Sequence, residues 1–221
     1  MAARSYGQYC PIATALDLLG DRWTLLILRE LLGGPRRYSD LRAELPGIAT
    51  NLLSDRLRLL SAEGLVEQFD VPAPMARTLY RLTDTGWKHV VPVIGALARF
   101  GSGRLGPEVG RVISPLTGFL AGIVVGFDGH RARSLNEDYR AVIDGRVFDF
   151  GVQDGYLRSA REAPVAELRA HASDLAEARR RHAGALPPSR IELHGQAAAT
   201  ARLLAVFQLK IAEEPTHGAG P

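Results

Sequence analysis

Asn51, Ser54 and Arg58 recur at three- and four-residue spacing after Thr50, with Asp55 among them. Leu53, Leu57 and Leu60 fall at i, i+4 and i+7 of the same stretch, flanked by Leu52 and Leu59. At 3.6 residues per turn the two sets occupy opposite sides of one helix. One side buries leucine; the other presents short hydrogen-bonding groups and a guanidinium. An amide pairs with adenine, and a guanidinium with guanine, through two hydrogen bonds each, while a hydroxyl adapts to either base. The chemistry indicated is base-edge reading in a nucleic-acid groove; the alternative is a solvated face. Thr50, at the helix start, suits a phosphate contact. Asp55 would repel phosphate, so its expected role is to orient Arg56 or Arg58. Arg36, Arg37, Tyr38 and Ser39 precede the helix before this one, where contacts to the sugar–phosphate backbone would orient the protein and make binding salt-dependent. Arg77, with Thr78 beside it, falls in a Pro-rich loop and is placed to enter a minor groove or meet phosphate. For these arginines the alternative is ordinary surface charge.

Cys10 is the one thiol. An intrachain disulfide is therefore excluded, which fits a reducing compartment. It lies near a predicted helix start, which favours thiolate, and Arg4 is the nearest basic residue in sequence. The six histidines show no metal-ligand spacing with one another or with Cys10. Asp138, Asp144, Asp149 and Asp154 are accounted for by strand alternation and turns. No Ser–His–Asp set or paired catalytic carboxylates can be assembled, so the sequence makes no case for an enzyme, a metal or a cofactor.

Several elements must position these groups. Apolar spacing predicts helices over 11–19 and 22–32, broken at Gly20-Asp21; the second is apolar almost all round and belongs in a core. Gly33-Gly34-Pro35 ends it. A short helix follows from Ser39, its expected N-cap, to Leu45, then a turn over 46–49, and then a helix from Asn51 to Glu63 capped by Thr50. Two short helices joined by such a turn and packed on an apolar helix form a helix-turn-helix. Residues 65–70 and 78–83 read as strands around a loop holding Pro72 and Pro74, a wing. Thr83 or Asp84 caps a helix over about 85–100 that Pro92 should kink or delay. Gly101, Gly103 and Gly106 match a phosphate-binding glycine spacing, but a helix precedes them and Pro107 follows, so a linker over 104–112 is the better reading.

Past the linker the pattern changes. An apolar helix over 116–127 leads to a hairpin around Asp144-Gly145, a second turn at 153–155, strands at 156–160, 165–170 and 190–194, a helix from Ser173 to Arg181, and a last helix over 196–209. The fold class is α+β: a winged helix-turn-helix domain over 1–103 and an α+β domain with an antiparallel sheet over 113–212, ending in a disordered tail over 213–221.

The bulk numbers agree with a DNA partner without arguing for one. The chain has 221 residues and a net charge of +3, from 27 basic and 24 acidic side chains. No apolar run approaches the ~20 residues a membrane span needs, and residues 1–8 do not read as a signal peptide. The expected setting is cytoplasmic, with no membrane partner.

Cys10 to Ile12, Leu18 to Leu32, Gly34 to Leu41, Leu53 to Arg58, Gly64 to Glu67 and Tyr80 to Gly86 together resemble the HxlR family of bacterial transcriptional regulators, which are MarR-like winged helix-turn-helix proteins. The resemblance implies a homodimeric repressor whose N- and C-terminal helices pair across a two-fold axis, setting two heads on a palindromic double-stranded DNA operator. It also implies that Cys10 is either a redox or electrophile sensor or a structural cysteine at the dimer interface. The sequence departs from the family at Asn51, where many members carry a basic residue. Residues 115–210 resemble a sterol carrier protein-like domain at Asp138-Tyr139, Asp144-Gly145, Gly195 and the closing helix. That implies an apolar cavity between sheet and helices for a hydrophobic small-molecule effector, or an extension of the dimer. The rival function is a protein-interaction module fused to a lipid or small-molecule carrier.

Overall fold

The leucines expected at the centre of the N-terminal half are there. In the computed structural model, which describes residues 5–72, 77–102, 104–105, 113–180 and 185–212, Ile27, Leu28, Leu31 and Leu32 of α2 (Thr24–Leu32) are buried. Ahead of it runs α1 (Pro11–Leu19). Trp23 makes the bend between them in a left-handed conformation, φ 83°. Leu41 of α3 (Tyr38–Glu44) and Leu53, Leu57 and Leu60 of α4 (Thr50–Ala62) are buried as well, with Leu45 and Ile48 sealing the turn. Gly47 in that turn has φ 92°, a region open to glycine at little cost. Gly64, at φ 68°, ends α4, and the Leu65 N–H bonds back to the Leu60 carbonyl.

The wing is β1 (Val66–Val71) paired antiparallel with β2 (Arg77–Leu82), Val66 opposite Leu82 and Asp70 opposite Thr78. Arg36 joins it as a one-residue third strand, exchanging backbone hydrogen bonds with Tyr80 at 2.8 and 2.9 Å. Residues 73–76, the expected wing tip, lie outside the described residues. Arg77, expected in that loop, is instead the first residue of β2.

Two expected helix caps are corrected. Ala49 and Arg37, not Thr50 and Ser39, stand at the N-caps of α4 and α3. In α3 the Asp40 carboxylate reaches back to accept the Arg37 N–H at 3.0 Å, so an acidic residue inside the first turn replaces the serine cap. Thr83 does cap α5 (Asp84–Ser102), its Oγ1 accepting the Gly86 N–H at 2.9 Å. Pro92 is carried within α5, and the helix runs on through Gly101 and Ser102, the first two residues of the glycine-spaced stretch.

The chain divides into two units at Gly86/Trp87, inside the start of α5 and ahead of the boundary expected near residue 103. The body of α5 goes with the second unit. Arg99 donates to the Val125 carbonyl at 3.2 Å, and the Lys88 ammonium lies 4.6 Å from the Tyr156 ring centroid. Residues 106–112 of the expected linker and the 213–221 tail are outside the described residues.

In the second unit α6 (Pro115–Phe119) continues into a π-helical turn, Leu120–Val124. Strands β3 (Asn136–Ile143), β4 (Arg146–Gln153), β5 (Tyr156–Ser159), β6 (Ala166–Ala170) and β7 (Ile191–Gly195) make a sheet of order β5-β4-β3-β6-β7. Helices α7 (Ala172–Arg180) and α8 (Ala197–Val206) complete the unit. The expected antiparallel sheet is mixed, because β6 pairs parallel with β3. The reason lies in one rung. β5 stops at Ser159, level with Phe150, and the chain crosses to enter β6 beside Tyr139. Buried Asp138 anchors this crossing, accepting the Glu162 N–H at 2.9 Å and the Arg161 N–H at 3.3 Å, while its other oxygen takes the Arg158 guanidinium at 2.6 Å. Gly151 stands between Asp138 and Arg158 in the register; a Cβ there would lie 2.2–2.3 Å from both side chains.

Aromatic rings pack together on the sheet's inner face. Phe119 stacks on Phe148 at 4.7 Å, and Tyr139, Phe150 and Phe207 make further ring contacts within 6.1 Å. Glu137 takes the Tyr139 hydroxyl and both nitrogens of an Arg202 fork, at 2.6 and 3.1 Å. Ser173, the expected cap of α7, sits within its first turn; Asp144 at the hairpin tip instead accepts the Ala172 N–H at 3.2 Å.

Candidate nucleic-acid interface

The polar side of α4 faces out as its spacing requires. Thr50, Asn51 and Arg58 are exposed and Ser54 is half-buried, while Leu53, Leu57 and Leu60 are each at most 2% exposed. The leucine seam fixes the helix's rotation, and that rotation decides which side chains can reach a groove.

Tyr38 from α3 braces the start of this helix. Its hydroxyl donates to the Thr50 carbonyl at 2.7 Å, and Ser54 Oγ lies 3.2 Å from both that carbonyl and the Tyr38 hydroxyl. Sequence spacing assigned Tyr38 to phosphate; its hydroxyl is engaged in joining the two helices of the motif. Asn51 and Arg58 then form the more open part of the surface. Arg58 bonds Asp55 one turn back at 2.9 Å, an exposed pair worth less than about 1 kcal/mol and readily exchanged for a stronger acceptor. Asp55 does orient an arginine, and it is Arg58.

Arg56 is elsewhere. Its side chain is 19% exposed and pairs with Asp21, which precedes α2, so it secures α4 to the scaffold. The reason is angular: two residues beyond Ser54, a side chain lies about 200° round the helix. Arg56, expected among the DNA-contacting residues and as a partner of Asp55, is engaged with Asp21 instead.

The remaining basic and polar groups differ among themselves. Arg37 and Ser39 are exposed. Arg36 is half-buried, with Nε and Nη2 meeting no acceptor among the described residues, and its charge acts inward on Glu30. Burial pushes the Glu30 carboxyl up, against the pull of its hydrogen bond to Arg29 at 2.6 Å and the charge of Arg36. Sequence reasoning passed over this acid; its lone place in the run Leu25 to Leu32 was the available signal. On the wing, Thr78 donates to Asp70 at 2.6 Å, Arg81 bonds Glu67 at 2.6 Å and covers the Phe69 ring, and Arg77 is half-buried. Cys10 is partly exposed at the N-cap of α1, its thiol making no cap bond.

The geometry thus has a buried scaffold helix, a glycine turn, a polar-faced second helix and a two-stranded wing. A family model described as HxlR-like helix-turn-helix matches residues 18–109. The HTH-type transcriptional regulator YvaP of Bacillus subtilis is 36% identical over 102 residues, spanning 46% of this chain and 94% of that protein. The HTH-type transcriptional regulator sll1512 of Synechocystis sp. is 39% identical over 102 residues, spanning 46% of this chain and 75% of its own. The solved reduced form of the B. subtilis transcriptional regulator YodB is 32% identical, spanning 41% of this chain and 92% of that one, with a TM-score of 0.36. Identity at this level along nearly the whole of YvaP, on a head with this architecture, places the chain in the HxlR-like helix-turn-helix family of DNA-binding transcriptional regulators.

Proposed function

We propose that this protein is a homodimeric repressor that reads a palindromic operator with α4, its second unit and Cys10 serving to control release. The observation that carries the DNA reading is the two-faced α4, with Asn51 and Arg58 outward and its pose held by the leucine seam and the Tyr38 brace. Arg58 reads guanine, Asn51 reads adenine, and Ser54 takes a base edge from its braced position. Thr50, Arg37, Ser39, Tyr38 and Arg36 lie along the phosphate backbone, with Arg77 and Thr78 on the wing.

Dimerisation is supported by two helices that leave apolar side chains in solvent. Ile12 and Leu16 of α1 are 71% and 43% exposed. Val93, Leu97 and Phe100 recur on α5 at i, i+4 and i+7, and Phe100 is 63% exposed. Such stripes are at home in a helix pairing. Cys10 begins the helix whose outer side carries Ile12 and Leu16, so modifying its thiol would act on that contact. The test is fluorescence anisotropy on DNA from the protein's own upstream region, against scrambled DNA of equal length. Specific binding at least tenfold tighter supports the reading; equal binding rejects it.

A further inference from the structure

A cleft of about 240 Å³ opens in the second unit along α5, walled by Trp87, Val91, Pro92, Phe127 and Leu157 with Tyr156 at its rim. It lies just below the ~300–1,000 Å³ common for small-molecule sites, a size for a compact ring system rather than a long chain. Lys88 and Arg99 are its two charged lining residues, and no carboxylate lines it. Neither cation pairs with a carboxylate among the described residues. Lys88 lies over the Tyr156 ring, and Arg99 gives one nitrogen to the Val125 carbonyl. A guanidinium has five donors, so most of the Arg99 fork is free for an anion. Eleven residues separate the two on α5, about 16 Å along a helix. The Arg99 guanidinium nitrogens nevertheless lie 3.7–3.9 Å from where a Cβ on Gly95 would stand, so its head folds back along the helix into the cleft. Gly129 and Gly155 are also in the lining, and a Cβ on either would meet the other's carbonyl oxygen at 2.7–2.8 Å. Backbone meets backbone there, with Phe127 Cε1 3.7 Å from the Cβ position of Gly129.

We infer that this cleft binds a small aromatic carboxylate. Its carboxylate takes the Arg99 fork in two parallel hydrogen bonds, its ring lies against Phe127 and Tyr156, and Lys88 adds positive charge at the far end. The occupant touches α5, which follows wing strand β2 after the single residue Thr83 and carries the apolar stripe assigned to the dimer. The inference therefore rests on the regulator reading for its consequence, release of DNA, but not for the binding itself.

Isothermal titration calorimetry of the full-length protein with 2-naphthoate and uncharged 2-naphthamide tests it. The expected result is one naphthoate per chain, with naphthamide and the Arg99→Met variant each weaker by about tenfold or more. Arg99→Lys should recover part of the loss, and Lys88→Met should weaken binding by about threefold, as an exposed charge does. No saturable naphthoate binding overturns the inference. So does equal affinity for naphthoate and naphthamide, a comparison that needs no variant and no assumption about folding. Anisotropy of the unliganded protein on operator DNA keeps the two readings apart: naphthoate binding without operator binding removes the regulator alone, and the reverse removes the ligand alone.

Discussion

Arg58 carries the largest expectation of any single residue. Its exposed bond to Asp55 holds the guanidinium near the surface at little cost, so exchange for a guanine edge gains more than it loses. Arg58→Ala should weaken operator binding by about 1–3 kcal/mol and relax the base preference at one position, measured by anisotropy on a set of single-base variants. Tyr38→Phe removes the hydroxyl that joins α3 to α4. The expected loss is about 1 kcal/mol of stability in urea unfolding, with weaker DNA binding than that loss explains. In the second unit the test is one of pH. Burial pushes the Glu137 carboxyl up, but the hydrogen bonds from Arg202 and Tyr139 and the Arg202 charge outweigh it and bring the group below the usual glutamate range. A carboxyl depressed by folding adds stability that is full above its unfolded value and lost as pH falls through its folded one. The stability difference between wild type and Glu137→Gln should thus narrow as urea melts are taken from pH 6 towards pH 3.

Elements are where sequence and structure can be compared most directly. The helices and wing of the first unit were readable because their signals are local: leucine spacing, glycine at a helix end, prolines between strands. The caps were misread because Ser39 and Thr50 look like caps, while backbone and Asp40 geometry place the α3 cap two residues earlier and the α4 cap one residue earlier. The Arg56–Asp21 pair was not legible for a different reason, since the two residues are distant in sequence. The parallel β3–β6 pair was hidden because pairing across a crossing is nonlocal, and the Asp138–Gly151–Arg158 rung that anchors it shows only as an acid, a glycine and an arginine scattered over 20 residues. Gly151→Ala should therefore destabilise the second unit by several kcal/mol, since a Cβ would displace a buried charged pair. Gly47→Ala should cost about 1–2 kcal/mol through its φ of 92° alone. Thermal or urea melts of each variant check both.

For the whole molecule, net charge says little: +3 over 221 residues is a weak field, and the DNA reading rests on placement. Affinity should still fall with salt in proportion to the phosphates contacted. The proposed dimer rests on the exposed stripes of α1 and α5; if it forms, Phe100→Asp should shift the protein toward monomer in sedimentation velocity while leaving the melt of the first unit unchanged. Two linked heads contact twice as many phosphates as one, so that variant should also lose operator affinity and show a shallower salt slope. The central claim is that the outer side of α4 reads DNA, and anisotropy with operator and scrambled duplexes, on wild type and Arg58→Ala, tests it most directly. The account predicts operator binding at least tenfold tighter than scrambled, with most of that margin lost in Arg58→Ala. Equal binding to both duplexes, or an Arg58→Ala protein that discriminates as well as wild type, would contradict it.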